Sequence, residues 1–149
     1  MPIKLLDQET DKKIRGIFET RLVHPVEIIF FSKQDGCHTC EETRLLLDEL
    51  TSTSSKLHFT AYDLSENSKE AQRFHVEMAP VIIIAGRDGD ELLDYGVQFV
   101  GIPSGYEFSS LVQDIIMVSK RDSGLSPAAR QILSRVASPV DLKVFVTPT

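Results

Sequence analysis

Two residues in this chain of 149 stand out for chemistry: Cys37 and Cys40, the only cysteines, separated by His38 and Thr39. A pair spaced in this way can open and close a disulfide, because the thiolate of one sulfur attacks a foreign disulfide and the other then displaces the mixed product. If the motif opens a helix, the first sulfur sits at the positive end of the helix dipole, near N–H groups that favour thiolate over thiol. Cys37 is then the nucleophile and Cys40 the resolving thiol. His38, when protonated, adds to the stabilisation of the Cys37 thiolate, and Thr39 completes the polar pair between the sulfurs. A fall in thiol pKa from about 8.5 to about 6.5 would stabilise the reduced form by about 2.7 kcal/mol. The expected consequence is a moderately oxidising couple, which a redox titration checks.

The same two thiols could instead serve a metal or a structural disulfide. A tetrahedral zinc site needs two more ligands, and His24, His58 and His75 are scattered without the paired spacing such sites use. A disulfide framework of the secreted type is excluded by the count of two cysteines. A second motif, Met78-Ala79-Pro80, precedes the apolar run Val81-Ile82-Ile83-Ile84. A proline there is tolerated simply as the first residue of a strand. Its functional reading is a cis Ala79–Pro80 bond beside the cysteines, leaving the backbone of Ala79 free to pair with an extended substrate.

The elements that must position these residues can be read from the pattern. Apolar positions Ile14, Ile17, Phe18 and Leu22 form a helical stripe. Pro25 to Ser32 is a β-branched and aromatic run suited to a central strand covered on both faces. A second helix is expected from Cys37 to Leu50, with Glu41 and Glu42 in its first turn. Strands are expected at Leu57 to Tyr62, Val81 to Ala85 and within Leu92 to Val100, and helices from Ser65 to Phe74 and from Tyr106 to Lys120. Helical crossovers imply parallel pairs, whereas the turn at Arg87-Asp88-Gly89 implies an antiparallel one. The expected fold class is α/β, with a mixed sheet of about four strands flanked by helices.

Bulk properties set bounds on function. A net charge of −6 and a pI near 5.2, with no run of Lys and Arg, argue against a nucleic-acid partner. No stretch approaches the length of an apolar membrane span, and residues 1–9 contain no long apolar leader segment, so a cytoplasmic location is expected. Dithiol exchange calls for no bound cofactor.

The C-terminal segment repeats an earlier one. At a shift of 114 residues, Arg21-Leu22-Val23-His24-Pro25-Val26-Glu27-Ile28 falls on Arg135-Val136-Ala137-Ser138-Pro139-Val140-Asp141-Leu142, and Phe30 falls on Val144. The expected organisation is therefore one complete unit over 1–120 and, over 121–149, the opening helix and strand of a second unit that stops just short of its own cysteine motif. A strand at Leu142 to Val146 without its unit would be disordered, docked on its own sheet, or paired between chains, so self-association through the tail is a candidate.

Phe30-Phe31 followed by Cys37-His38-Thr39-Cys40, then Met78-Ala79-Pro80, the Gly101-Ile102-Pro103-Ser104-Gly105-Tyr106-Glu107-Phe108 loop and helix, and the ending Val144-Phe145-Val146-Thr147-Pro148-Thr149 closely resemble the tandem protein disulfide oxidoreductases of thermophiles. Those proteins resemble two fused glutaredoxin-like units, each with a Cys-x-x-Cys, so the resemblance implies a thioredoxin-like α/β fold. The resemblance extends over essentially the whole chain. It implies that Cys37, Cys40 and Pro80 act as nucleophile, resolving thiol and cis-proline, that protein disulfides are the substrates, and that a flavin-dependent reductase of the thioredoxin reductase kind returns the dithiol to its reduced form. One departure concerns the acid that thioredoxins tend to bury beneath the cysteines: Phe30 and Phe31 occupy that region and Glu27 lies early in the strand. Two other functions compete with dithiol catalysis, namely a non-catalytic docking or regulatory module of the same fold and a zinc-binding structural domain.

Overall fold

The computed structural model describes residues 4–147. Pro148 and Thr149, part of the ending that carries the family resemblance, lie outside the described residues, as do residues 1–3. The elements run α1 (Gln8–Arg21), β1 (Val26–Ser32), α2 (Cys40–Thr51), β2 (Leu57–Asp63), α3 (Ser68–Arg73), β3 (Val81–Asp88), β4 (Glu91–Val100), α4 (Tyr106–Lys120) and α5 (Pro127–Leu133). One mixed sheet has the order β2-β1-β3-β4. The crossover through α2 makes β1 and β2 parallel, and the other two pairs are antiparallel.

Side chains alternate across a strand, so β1 supplies both layers of the core. Val26, Ile28 and Phe30 enter a cluster with Phe18 of α1, Leu47 and Leu50 of α2, and Leu111 and Ile115 of α4. Ile29 and Phe31 point the other way, into a smaller cluster with Ala71 and Phe74 at α3 and Val81 and Ile83 of β3. Every residue from Val26 to Phe31 is buried, which is what a near-continuous apolar run in a central strand predicts. Each fully buried Ile or Phe of this strand contributes about 1.5–3 kcal/mol before the cost of ordering it.

The connections are fixed locally. Gly89, with φ of +60°, opens the two-residue loop that joins Asp88 to Glu91, a backbone conformation that glycine adopts without steric cost. At the far end of α4, the Ser119 hydroxyl donates to the His24 carbonyl at 2.7 Å and accepts from the Val23 N–H at 2.8 Å. That pair of bonds locks α4 to the entry of β1. The expected strand at Leu142 to Val146 is not formed: 141–147 is irregular, and α5 buries no residue. A strand needs hydrogen-bonded neighbours on at least one side, and this segment has none among the described residues.

Candidate dithiol site

β1 delivers the chain through Lys33-Gln34-Asp35-Gly36 to the cysteines, with Gly36 at a φ of +76°, a conformation glycine adopts without steric cost. The helix begins later than the pattern suggests. Cys40 is the first residue of α2 and Thr39 its cap, so Cys37 lies two residues ahead of the cap and not in the first helical turn. The cause is local: the Thr39 carbonyl takes the first helical bonds, accepting from the Thr43 N–H at 2.9 Å and from the Thr43 hydroxyl at 2.7 Å. The two bonded sulfurs lie together at the N-terminal end of α2, where the field of the helix terminus favours a thiolate.

Cys37 and Cys40 form a disulfide, with their Cα atoms 5.5 Å apart. Their surroundings differ. Cys40 is buried in the larger core cluster, while Cys37 is half-buried at its margin, His38 is exposed and Thr39 is half-buried. Cys37 is thus the more accessible of the two residues to another molecule. The Ala79–Pro80 bond is cis, as the sequence leads one to expect. Pro80 is buried, and Ala79 packs half-buried against the same cluster that holds both cysteines. The Gly101 N–H donates to the Pro80 carbonyl at 2.9 Å, fixing the 101–105 loop to this corner.

Glu27 is not beneath the cysteines. It points to the face opposite Phe30 and the Cys40 cluster, where it is buried beside Arg87. The Thr60 hydroxyl donates to its Oε1 at 2.6 Å, and the Arg87 guanidinium stands 3.3 Å from its Oε2. Sequence reasoning does not find this trio, because its members come from β1, β2 and β3 and only the strand register brings them together. It also misses a cleft of about 540 Å³ between the first turn of α4 and the C-terminal segment, lined by Ser104, Tyr106, Glu107, Ser110, Phe145 and Val146 among others. Among the described residues, no cluster of three or more His, Cys, Asp or Glu side chains is arranged to hold a metal, and no helix is long and apolar enough to cross a membrane.

Solved structures provide the comparison. A protein disulfide oxidoreductase from Aeropyrum pernix matches at a TM-score of 0.76 and 28% identity, over 89% of this chain and 56% of its own. A domain of alkylhydroperoxide reductase AhpF from Enterococcus faecalis matches at a TM-score of 0.73 and 21% identity, over 85% of this chain and 58% of that one. A thioredoxin from Trichomonas vaginalis matches at a TM-score of 0.50 and 18% identity, over 70% of this chain and 87% of its own. This chain thus spans little more than half the length of the first two. No protein-family model and no curated protein matches it.

Proposed function

We propose that this chain, which has the thioredoxin fold, exchanges thiols and disulfides with other proteins through Cys37 and Cys40. The observation that carries the reading is the Cys37–Cys40 disulfide, with Cys37 half-buried at the margin of the core and Cys40 within it. In the reduced chain, the Cys37 thiolate attacks a substrate disulfide, forms a mixed disulfide and expels one substrate thiolate. Cys40, as thiolate, then attacks the Cys37 sulfur. The internal disulfide forms and the second substrate thiolate leaves, so two electrons pass from the dithiol to the substrate. The released thiolates take protons from solvent. His38 and Thr39 lie between the sulfurs, where a protonated imidazole favours the Cys37 thiolate, and Ala79 beside Pro80 offers backbone groups to an extended substrate.

Regeneration needs a two-electron donor. The proposed reductant is a flavin-dependent enzyme of the thioredoxin reductase kind, and the alkylhydroperoxide reductase among the structural matches supports a reductase link. We assign 1–120 to a thioredoxin/glutaredoxin-like unit and 121–149 to the opening of a second. The repeat at a shift of 114 and the exposure of the apolar side chains from Ile132 to Val146 support that division. We further propose a cytoplasmic setting with neither nucleic acid nor membrane as partner; the net charge of −6 is the observation that speaks against nucleic acid.

Reduction of insulin disulfides with dithiothreitol as electron source tests the proposal. The chain should accelerate precipitation of the insulin B chain, and Cys37→Ser should abolish the acceleration. Activity that survives Cys37→Ser discards Cys37 as nucleophile. The exposed tail favours a docking module as the second reading, for which neither cysteine substitution would alter function.

A further inference from the structure

Three strands end at one level of the sheet. Phe31 of β1 stands opposite Val81 of β3, and Val81 stands opposite Val100 of β4. The loop to the cysteines, the 74–80 connection and the 101–105 loop therefore meet at the same end of the sheet. Within the 74–80 connection, the backbone of Glu77, Met78 and Ala79 is paired, among the described residues, with no other backbone group. Three consecutive residues with unpaired N–H and C=O groups suit an extended chain, which offers the complementary groups.

This stretch is held at its two ends. At the far end, the Gly101 N–H donates to the Pro80 carbonyl at 2.9 Å. At the near end, α3 closes in a left-handed turn: His75 has a φ of +55°, and the Val76 N–H donates to the Ala71 carbonyl at 2.8 Å. A non-glycine residue in that region carries a steric cost, so the turn needs support from its surroundings. Part of it comes from the buried Phe74 ring, which meets Phe31 edge to face with centroids 6.2 Å apart. The rest comes from β4. Among the described residues no backbone group donates to the Phe74 carbonyl, and the Gln98 side chain supplies the donor, its Nε2 lying 2.6 Å from that oxygen. Gln98 is exposed and belongs to neither core cluster, so this bond is what it contributes.

We propose that Gln98 is a positioning residue for protein substrates. Its amide seats residues 75–79 so that the unpaired groups of 77–79 meet an extended substrate chain while that substrate's disulfide reaches Cys37. The inference rests on the exchange reading above and adds to it a residue that acts through the loop and not on the sulfurs.

Gln98→Met keeps the length of the side chain and removes the donor. In steady-state assays of the full chain, it should raise KM for insulin about fivefold at unchanged kcat, the size of effect that one neutral hydrogen bond can transmit. Both constants for a small aromatic disulfide, which has no extended backbone to pair, should stay where they are. Hydrogen exchange reads the loop without reference to activity: exchange of the Val76 amide should quicken about fivefold in Gln98→Met, and that of Gly101 should keep its rate. An insulin KM that does not move, a loss shared by both disulfides, or unchanged exchange at Val76 overturns the role of Gln98 and leaves the exchange chemistry standing. A parent chain that reduces neither disulfide overturns the exchange chemistry, and exchange at Val76 then decides by itself whether Gln98 seats the loop.

Discussion

β1 and the segment 140–146 have nearly the same alternation of residue types and opposite fates. Val26, Ile28 and Phe30 are fully buried, whereas their counterparts at a shift of 114, Val140, Leu142 and Val144, are 70–82% exposed. Even the single acid is repeated. Glu27 is buried against Arg87 and Thr60, and Asp141 pairs with Lys143, at 3.3 Å, in open solvent. The pattern confers the capacity to be a strand. Hydrogen-bonded neighbours and a covering layer turn that capacity into structure, because a strand on its own gains neither ladder bonds nor burial to offset the entropy of ordering it.

The sharpest test of this contrast is truncation of one aromatic ring in each segment. Phe30 is fully buried and stacks on Phe59 with ring centroids 6.4 Å apart, so Phe30→Ala should cost about 3–5 kcal/mol through lost burial and the cavity left behind. Phe145→Ala removes an exposed ring and should change stability by less than about 0.5 kcal/mol. Midpoints of urea unfolding at unchanged slope measure both. A large loss at Phe145 would break the comparison, since it would show the tail packed in solution.

The next contrast is between the two ion pairs. Arg87→Met leaves the buried Glu27 carboxylate with the Thr60 hydroxyl alone. Arg87 is about a third exposed, so the full penalty for a broken buried pair is reduced by solvent to about 1–2 kcal/mol. Lys143→Met, at a pair in which both side chains are at least 70% exposed, should leave the unfolding midpoint where it is. Equal effects at the two positions would mean that burial is not what distinguishes them.

Much of this was legible in the residues, for reasons the particular elements show. The run at β1, the α4 span from Tyr106 to Lys120 and the cis Ala79–Pro80 bond follow from periodicity or a single residue type, which are local signals. The start of α2 lies three residues beyond Cys37, at the position that Thr39 with Glu42 three residues on signals as a cap, although in the structure Thr39 caps with its carbonyl and makes no side-chain bond there. The Glu27–Arg87–Thr60 trio and the cleft at Tyr106 were illegible, since each joins residues tens of positions apart that only the strand register or the course of the tail brings together. At Leu142 to Val146 the alternation was legible as a strand without its unit, and 141–147 is irregular. Alternation reports what a segment could bury, and burial itself belongs to the rest of the molecule.

The smallest expected effect separates the helices that lead into the two segments. Asp7 caps α1 by accepting from the Thr10 N–H at 2.8 Å, and Ser126 caps α5 by accepting from the Ala129 N–H at 3.2 Å. The bond from the Thr10 backbone holds the Asp7 carboxyl below the usual carboxylate range. A carboxyl depressed in the folded chain stabilises it above the unfolded pKa, and that contribution fades as pH falls through the folded value. Asp7→Ala should therefore lower the unfolding midpoint at pH 7, and the difference from the parent should shrink below about pH 4, the ordinary carboxylate range, until it disappears. Ser126→Ala should leave the midpoint unchanged at every pH, because a seven-residue helix with no buried side chain does not share in the cooperative unfolding of the sheet. A pH-independent loss at Asp7 would mean that the cap acts through packing instead of charge. A loss at Ser126 would place α5 and the tail inside the folded unit, and the two halves of the repeat would no longer differ in kind.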